Sequence, residues 1–314
     1  RTAGRCGVLL VLGSINADLV LEVDGLPRPG ETVLCPGWRF AHGGKGANQA
    51  AAAARFGARV RFLGRVGADP WGPILRQGLA EAGVEVAGLG LSQRPSGTAV
   101  IAVDRSGENL ILVASGANLD VSLDQLDAAG LGPGVTFLCQ NEIPLPVTLG
   151  ALARARAAGA RTILNLAPAS SLAADALDPV DLLIVNQHEA AALLGRRMPA
   201  EEAAAELAGP ARTCVLTLGP EGAVAVGPGG GWRVPALPVR VVDTTGAGDA
   251  FVGALAAGLD GGLALPEALA RASVAAGLAC ERLGAREGQP DRAAVEARLE
   301  ALGPPVPFTP PRVA

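Results

Sequence analysis

The chain is poor in several residue types that mark particular classes of protein. It has 314 residues but no tyrosine, two histidines and a single lysine, Lys45. Its net charge of -4 and the lack of a basic cluster with interleaved aromatic residues argue against a nucleic-acid surface. The histidines, His42 and His188, do not have the spacing of metal ligands. We therefore expect neither a nucleic-acid partner nor a histidine metal site.

Cysteines and long apolar runs are also scarce. The five cysteines, at positions 6, 35, 139, 214 and 280, lie far apart and form no Cys-x-x-Cys pair. This spacing favours neither a disulfide framework nor a zinc site, and it predicts reduced thiols and a cytoplasmic protein. No apolar run reaches the ~18 residues that a membrane-spanning helix needs, so we expect a soluble protein without a membrane partner.

Short apolar segments are abundant, and they alternate with helical segments of small residues. Hydrophobic residues make up 49% of the chain, which is enough for a large core. This alternation is typical of a parallel sheet with helices on both faces. We predict an α/β fold of three layers, αβα, with a mostly parallel central sheet and one domain over residues 1–314. The predicted strands are 8–12, 60–63, 135–138, 162–166, 182–185, 214–218 and 223–226, and the predicted helices are 45–56, 71–82, 147–158, 189–195, 200–207, 248–259, 265–282 and 291–302.

Two segments depart from this alternation because they contain strands but no helix. Residues 15–24 and 32–41 flank a proline-rich turn, and residues 97–104 and 109–113 flank a turn of Asp, Arg, Ser and Gly. Strands without a helix of their own cannot bury both of their faces by themselves. We predict that they form a small β-sheet lid, inserted at about 15–41 and 97–113. The proline-rich tail, 303–311, is predicted to be irregular.

The most informative segment is Asp-Thr-Thr-Gly-Ala-Gly-Asp-Ala-Phe at 243–251, which opens a helix after an apolar run. Main-chain N–H groups at a helix N-terminus bind anions, and Gly246 and Gly248 allow the turn that exposes them. Asp249 then stands where a base could deprotonate a substrate hydroxyl. The alternative is an ordinary strand-to-helix turn capped by Asp, which needs no ligand.

A second glycine-rich segment is Gly-Gly-Lys-Gly-Ala-Asn at 43–48. It is not a Walker A loop, because Arg39 stands where the first glycine belongs and Gly46 where Ser or Thr belongs. Lys45 and Asn48, three residues apart on one helix face, can donate hydrogen bonds to a polyol. The alternative is a flexible loop with a solvated lysine and a capping asparagine.

Polar residues beside the predicted strands extend this site. Asn16 and Asp18 alternate along a strand, so their side chains share one face. Glu142 follows the strand 135–138, at the carboxyl edge where open α/β sheets bind ligands. We predict that all three form hydrogen bonds with sugar hydroxyls. Glu142 could equally be an acidic residue that stabilises the N-terminus of a helix.

A nucleotide site is predicted at the same sheet edge. Asn186 and Glu189 follow the strand 182–185 and could order Mg²⁺ waters and a phosphate oxygen, although the same pair makes an ordinary capping box. The small residues within 217–222 follow another strand and could admit a purine and its ribose.

Together these segments resemble the ribokinase-like family of ATP-dependent carbohydrate kinases, from Val8 to about Pro290. The resemblance rests on five motifs in family order, at 13–18, 29–32, 43–49, 186–189 and 243–251. It implies that Asp249 is the base and that the amides of Gly246, Ala247 and Gly248 form an anion hole. It implies sugar contacts from Asn16, Asp18, Gly44, Lys45, Asn48, Glu142 and Asp249. It assigns the nucleotide to Asn186, Glu189, Thr217, Gly219, Gly222 and Gly248, with Glu189 acting on Mg²⁺ indirectly.

The family resemblance also implies a monovalent cation, usually K⁺, beside the anion hole and held largely by carbonyl groups. The matching positions are Asp243, Thr245, Ala279, Arg282 and Gly284. The chain departs from the family at Gly288, where a hydroxyl residue often completes the shell and a water could substitute.

The resemblance therefore predicts ATP-dependent phosphorylation of D-ribose at its 5-hydroxyl, with ATP, Mg²⁺ and K⁺. Alternatives in the same family are kinases for deoxyribose, fructose, a keto-deoxy sugar acid or an adenosine-like nucleoside. A different class is a sugar-binding protein without turnover. A lid with an open strand edge further predicts a homodimer through the lid.

Overall fold

The computed structural model describes residues 7–209 and 212–311, with strands and helices alternating along most of the chain. The strands are β1 (Val8–Leu12), β2 (Asn16–Glu22), β3 (Trp38–Gly43), β4 (Val60–Gly67), β5 (Leu89–Ser92), β6 (Gly97–Val103), β7 (Asn109–Ala114), β8 (Val135–Gln140), β9 (Arg161–Asn165), β10 (Leu182–Asn186), β11 (Thr213–Thr217), β12 (Ala223–Gly227), β13 (Gly230–Val234) and β14 (Val306–Phe308). The helices are α1 (Lys45–Arg55), α2 (Trp71–Glu81), α3 (Leu145–Ala157), α4 (Gln187–Leu194), α5 (Ala200–Ala208), α6 (Ala247–Asp260), α7 (Leu265–Ala279) and α8 (Arg292–Arg298).

The larger sheet has ten strands in the order β14, β13, β12, β11, β10, β9, β8, β1, β4, β5. The seven strands from β11 to β5 in this order pair in parallel, whereas β12, β13 and β14 add an antiparallel edge. Helices α1, α2, α6, α7 and α8 pack on one face, and α3, α4 and α5 pack on the other. The predicted three-layer fold with a mostly parallel sheet is therefore confirmed.

Strand β1 shows why short apolar runs become inner strands. Successive side chains of a strand point to opposite faces. Leu9 and Val11 lie in the core on one side of the sheet, and Leu10 and Leu12 lie in the core on the other. All four side chains are fully buried. A strand covered on both faces must be apolar at every position, which is the pattern that the sequence shows.

A second sheet of four strands, which we call the lid sheet, has the order β3, β2, β6, β7. Strands β2 and β6 pair in parallel, and the pairs β2–β3 and β6–β7 are antiparallel. The strand predicted at 32–41 begins only at Trp38 and continues to Gly43. Residues 31–37 are mostly exposed and include Pro36, which has no N–H to donate, so this part of the prediction is wrong.

The C-terminal tail also differs from the prediction. Residues 303–311 were predicted to be irregular, but Val306–Phe308 forms the edge strand β14 and pairs with β13. The ring of Phe308 covers Gly231, and it packs against the core formed with α3, α4 and α5. Strands β5 and β14 were missed because each is short and pairs with a distant part of the chain. Strand β13 pairs with the adjacent β12, and it was missed because it begins with two glycines, which are rare in strands.

The eight predicted helices are all present, with shifts of a few residues at their ends. Helix α7 ends at Ala279 rather than 282, and α8 ends at Arg298, where a short 3-10 turn, Leu299–Ala301, follows. Within the described ranges, 7–209 and 212–311, no helix has both the length and the apolarity that a membrane crossing requires.

The contact of Phe308 with the core predicts that the tail stabilises the fold. Phe308→Ala should lower the free energy of unfolding by about 2 kcal/mol, because it removes a partly buried ring from the edge of the core. Val306→Ala, in the same strand but 56% exposed, should change it by less than about 0.5 kcal/mol. Denaturant titrations of both variants measure this, and equal losses would contradict the role given to Phe308.

Candidate active site

Asp249 lies at the start of α6, where its carboxylate has two fixed donors. Gly246 precedes the helix with a φ of 77°, and a Cβ on it would overlap the main chain of Ala285. Asp249, the third residue of α6, is 8% exposed. Its Oδ2 accepts a hydrogen bond of 3.1 Å from Nδ2 of Asn48, and its Oδ1 accepts one of 2.9 Å from Nε2 of Gln49. Helix α1 therefore sets the orientation of this carboxylate.

The first turn of α6 also leaves main-chain donors available. The N–H groups of Gly248 and Asp249 have no hydrogen-bond acceptor among the residues that the structure describes. Apart from its chain neighbours and the backbone of its own helix, no described residue has an atom within 4 Å of the position that a Cβ on Gly248 would take. Free N–H groups that face open space at a helix N-terminus can bind an anion. The arrangement thus places a carboxylate beside main-chain donors that can bind an anion, and the anion site itself stays a prediction.

A network of buried carboxamides supports Asp249 from behind. Nε2 of Gln49 also donates to Oδ1 of Asn165 at 2.8 Å, and Oε1 of Gln49 accepts from Nε2 of Gln140 at 2.7 Å. The three carboxamide side chains are at most 7% exposed. Because each amide satisfies the next, the side chain of Gln49 cannot turn away from Asp249 without leaving a buried group unpaired.

Sequence reasoning missed the roles of Gln49, Gln140 and Asn165. A signal was available, since Gln49 directly precedes five alanines in α1, where a buried polar side chain needs a partner. Gln140 and Asn165 are likewise the final, polar residues of the apolar strands β8 and β9. Their pairing could not be read from the sequence, because α1, β8 and β9 meet only in the folded chain.

The loop between β3 and α1 brings the predicted sugar residues together. Gly44, which precedes α1, has a φ of 85°, and the N–H of Lys45 donates to Oε2 of Glu142 at 2.9 Å. The same oxygen accepts from Oγ of Ser14 at 2.6 Å. A Cβ on Gly43, the last residue of β3, would overlap the carboxylate of Asp18 on the paired strand β2.

The side chain of Lys45 lies among three carboxylates. Its pKa is raised chiefly by Asp249 and further by Glu142 and Glu189, while burial opposes this effect. The ammonium group is therefore firmly charged. Since Asp249 and Glu142 belong to the predicted sugar site and Glu189 to the predicted nucleotide site, Lys45 lies between the two.

Asp18 is the most strongly perturbed carboxylate of the site. Its pKa is raised to about 7, first by burial and then by the charges of Glu142, Glu287 and Asp249, while Arg286 opposes them. Its Oδ1 is buried and has no hydrogen-bond partner in the described part of the chain. Such an acceptor costs free energy until a ligand donates to it.

Asn16 and Asp18 occupy alternate positions on β2, as predicted, and Asn16 is 4% exposed. Asp18 lines a cavity of about 340 Å³ between the lid sheet and two loops of the main body. The lid side combines the apolar Val20, Ile101 and Ile111 with the charged Glu22 and Arg39. The loop side contains residues 241–245 and 283–285. The lid sheet thus forms one wall of the space that Asp18 faces.

The sequence did not reveal a buried arginine beside this pocket. Arg286 is 2% exposed, and burial lowers its pKa to about 10. Its Nη2 is 3.4 Å from the carbonyl oxygen of Gly43 and 3.5 Å from Oδ1 of Asn48, while Nε and Nη1 have no partner among the described residues. In a chain with many arginines, no local signal distinguishes this one.

The predicted nucleotide residues lie together at the carboxyl edge of the larger sheet. Asn186 and Thr217 are paired neighbours on β10 and β11. Asn186 and Glu189 form the capping box that was the alternative interpretation: Oε2 of Glu189 accepts from the N–H of Asn186 at 2.7 Å, and Oδ1 of Asn186 accepts from the N–H of Glu189 at 2.9 Å. The capping box leaves Oε1 of Glu189 and Nδ2 of Asn186 for other partners.

The two glycines that follow β11 differ in surroundings. Gly219 has a φ of 58° and open space beside it, so a ligand can approach its main chain. A Cβ on Gly222 would overlap the carbonyl group of Val234. Packing against β13 therefore explains Gly222 without a nucleotide.

The residues predicted to hold a monovalent cation also converge. The Asp243 carboxylate accepts from the N–H of Thr245 at 2.8 Å and from the N–H of Gly284 at 2.9 Å. Burial opposes its ionisation, but these hydrogen bonds hold its pKa below the usual value. A Cβ on Gly288 would lie 2.8 Å from the carbonyl oxygen of Gly284, and 3.1 and 3.4 Å from those of Ala279 and Arg282. Over the described ranges, no cluster of three or more His, Cys, Asp or Glu side chains could hold a metal ion.

Comparison with known proteins identifies the family. The model of the pfkB family of carbohydrate kinases matches residues 8–292, and the chain belongs to this family. The ribokinase of Haemophilus influenzae is 35% identical over 292 residues, which cover 90% of this chain and 95% of that protein. The ribokinase of Bacillus subtilis is 36% identical over 299 residues, which cover 93% and 99%.

A solved structure shows the same similarity. The structure of Arabidopsis thaliana ribokinase, complexed with ribose and ATP, is 31% identical and matches with a TM-score of 0.86. The match covers 94% of this chain and 99% of that chain. The family resemblance read from the motifs is confirmed, and the chain is an ATP-dependent carbohydrate kinase by family.

The raised pKa of Asp18 predicts a pH dependence of sugar use. Below about pH 7 the protonated carboxyl is a weaker acceptor, so kcat/KM for the sugar should fall as pH decreases through about 7. Asp18→Asn should remove this limb and lower kcat/KM by about tenfold above it, through loss of a charged acceptor. Rates between pH 5.5 and 8.5 measure both effects. The control Asp24→Asn, at an 85% exposed side chain, should still show the fall of kcat/KM at low pH. The same fall in Asp18→Asn would contradict the assignment of this pH dependence to Asp18.

Proposed function

We propose that this chain transfers the terminal phosphoryl group of ATP to the 5-hydroxyl of D-ribose, giving ribose 5-phosphate and ADP. The observation that carries the proposal is the contact between Asn48 and Asp249, which joins the predicted sugar helix to the predicted phosphate helix. The names of the similar proteins support ribose as the acceptor. The bound ribose and ATP of the Arabidopsis structure support the same reaction.

In the proposed reaction, Asp249 takes the proton of the 5-hydroxyl as its oxygen attacks the γ-phosphorus. The new O–P bond forms while the bond from the γ-phosphorus to the bridging oxygen breaks, and ADP leaves with the electron pair. The N–H groups of Gly246, Gly248 and Asp249 donate to the transferring phosphoryl oxygens. The N–H of Ala247 joins them by leaving the carbonyl oxygen of Thr244, to which it donates at 3.2 Å in the structure. Because Asn48 and Gln49 hold the carboxylate, no reorientation of the base is needed.

Five further residues are proposed to contact the sugar. Asp18 lines the cavity under the lid sheet. In the proposal the further sugar contacts come from Asn16 on β2, from Glu142 after β8, and from Lys45 and Asn48 on α1, beside Gly44. The lid sheet closes the pocket from above and excludes water, which would otherwise compete as the phosphoryl acceptor.

The proposed nucleotide and cation contacts come from two places, the carboxyl edge of the larger sheet and the surroundings of Asp243. Asn186, Thr217 and Gly219 border the space for ATP, and Glu189 would hold Mg²⁺ through waters, since its Oε1 is not used in the capping box. Mg²⁺ supplies positive charge to the phosphate oxygens when bound. The carbonyls of Ala279, Arg282 and Gly284 fit K⁺, with Asp243 and Thr245 nearby, and a water would take the place that Gly288 leaves. Use of ATP also fits the proposed cytoplasmic location.

A sugar panel tests the proposed function. Purified protein with ATP should release ADP with D-ribose at a kcat/KM at least about tenfold above that for deoxyribose, fructose, a keto-deoxy sugar acid or adenosine, because each missing or displaced hydroxyl leaves buried groups unpaired. A higher value for another acceptor would replace ribose in the proposal. Binding of ribose without ADP release would support a sugar-binding protein instead.

Asp249→Asn tests the base directly. It should lower kcat by at least about a thousandfold, because the amide cannot accept the proton, while ribose binding changes little. The control Asp178→Asn, at a 76% exposed carboxylate that precedes β10 at the opposite sheet edge, should keep full activity. Retention of most of kcat in Asp249→Asn would remove this residue from the role of base.

We also propose that two copies of the chain pair through the lid sheet. Strand β7 is an edge strand, and its residues Leu110, Ile111, Leu112 and Val113 are 38–64% exposed. An apolar strand edge of this kind favours association with another chain. A second copy offers the same apolar edge in return, as a two-fold axis requires.

Sedimentation velocity tests this assembly. The wild-type chain should sediment as a dimer, and Leu112→Glu should shift it to a monomer by placing charge in the apolar contact. Leu91→Glu is a matched control, because Leu91 is equally exposed, at 64%, but lies on β5 of the larger sheet. A monomeric wild-type chain, or equal behaviour of the two variants, would reject pairing through the lid.

A further inference from the structure

We infer that Asn118 is a positioning residue that turns the side-chain amide of Asn16 so that its NH₂ group faces the sugar. Asn16 then offers a donor beside the acceptor of Asp18, and the two residues read a pair of neighbouring hydroxyls. Asn118 lies in a 3-10 turn, Gly116–Asp120, which follows strand β7 of the lid sheet. The inference rests on the proposed function, because it assumes that the pocket at Asp18 takes a sugar.

The direction of each amide follows from one main-chain donor. The N–H of Ile15 donates to Oδ1 of Asn118 at 3.0 Å, and a main-chain N–H can only donate. The oxygen of Asn118 must therefore face Ile15, and its NH₂ group must face the other way. This NH₂ group is 2.7 Å from Oδ1 of Asn16 and donates to it. The oxygen of Asn16 is thus used inside the protein.

The remaining polar atom of Asn16 is its NH₂ nitrogen. No acceptor in the described part of the chain forms a hydrogen bond with it. If Asn16 turned by 180°, two NH₂ groups would face each other in a region where both side chains are at most 4% exposed. That arrangement would leave buried donors unpaired, so the observed orientation is strongly favoured.

The surroundings hold this pair in place. A Cβ on Gly97 would overlap both Oδ1 of Asn16 and Nδ2 of Asn118, so glycine at this position makes room for the contact. The N–H of Ala117 donates to the carbonyl of Pro95 at 2.7 Å, and Oγ of Ser92 donates to Asp120 at 2.6 Å. Asn118 therefore sits on an anchored turn at the base of the lid sheet, where β6 begins and β7 ends.

This orientation has a consequence for sugar selection. The NH₂ group of Asn16 requires an acceptor, while the carboxylate of Asp18, which lines the cavity, requires a donor. Two neighbouring hydroxyls of a furanose satisfy both, because one accepts from Asn16 and the other donates to Asp18. An analogue that lacks one of these hydroxyls leaves a buried group unpaired.

Asn118→Asp tests the inference with almost no change in shape. The carboxylate can still accept from Ile15 but cannot donate to Asn16, so the amide of Asn16 should turn and present its oxygen to the sugar. We expect the KM for ribose to rise about tenfold, with kcat and the KM for ATP changed less than about twofold, because only a ground-state sugar contact is reversed. Leu119→Ala, at a 48% exposed neighbour on the same turn, should leave all three constants unchanged.

A double-mutant cycle separates positioning from a general loss of structure. In the Asn16→Ala background, Asn118→Asp should add no further rise in the KM for ribose, because the group that it orients is absent. A rise of equal size in both backgrounds would overturn the inference, as would an unchanged KM for ribose in the single variant. If Asn118→Asp does not fold, Asn118→Ala replaces it. We expect Asn118→Ala to raise the KM for ribose about threefold, and this rise must also be absent in the Asn16→Ala background.

The two proposals fail in different ways. If the wild-type chain does not phosphorylate ribose, the proposed function fails and the cycle is measured with the acceptor that the sugar panel identifies. If the wild-type chain phosphorylates ribose but Asn118→Asp leaves its KM unchanged, only the role of Asn118 is rejected.

Discussion

The site depends on the hydrogen bonds from Asn48 and Gln49 to the carboxylate of Asp249. These bonds join α1, which follows the glycine-rich loop, to α6, which opens with free main-chain donors. Buried polar groups must be paired, so the two helices cannot shift relative to one another without leaving Asp249, Asn48 or Gln49 unsatisfied. The carboxamides of Gln140 and Asn165 extend this constraint to the edge of the larger sheet. The orientation of the Asp249 carboxylate thus depends on the packing of α1, α6, β8 and β9 together.

Two charged side chains beside the cavity are buried at a cost in stability. Burial and neighbouring acids raise the pKa of Asp18 to about 7, and burial lowers the pKa of Arg286 to about 10. Both groups have buried atoms without partners in the described part of the chain. Each would be more stable in water, and unpaired groups of this kind are common where a ligand completes the hydrogen bonds. Lys45, among Asp249, Glu142 and Glu189, balances part of the negative charge.

Much of the fold could be predicted because local patterns carry it. Strand β1 is apolar at every position, which indicates burial on both faces, and the eight helices end near glycines or charged turns. The strands β5 and β14 were missed because their partners are far away in sequence, and β13 because its two leading glycines hide a hairpin with β12. The residues of the site divide in the same way into those with a local sequence pattern and those without one. Asp249 and the two glycines within 246–248 form a recognisable motif. Tertiary contacts alone bring in Gln140, Asn165, Arg286 and Asn118.

The sequence by itself determined the layered α/β fold, the family and the segments that would meet at one sheet edge, because hydrophobic period and glycine-rich turns are properties of neighbouring residues. Tertiary structure alone decided which way each polar group points. The oxygen of Asn16 faces Asn118 because the N–H of Ile15 faces that residue from the other side. Hydrogen-bond direction depends on which donors and acceptors lie in reach, and chain positions a hundred residues apart come within reach only when the core has formed.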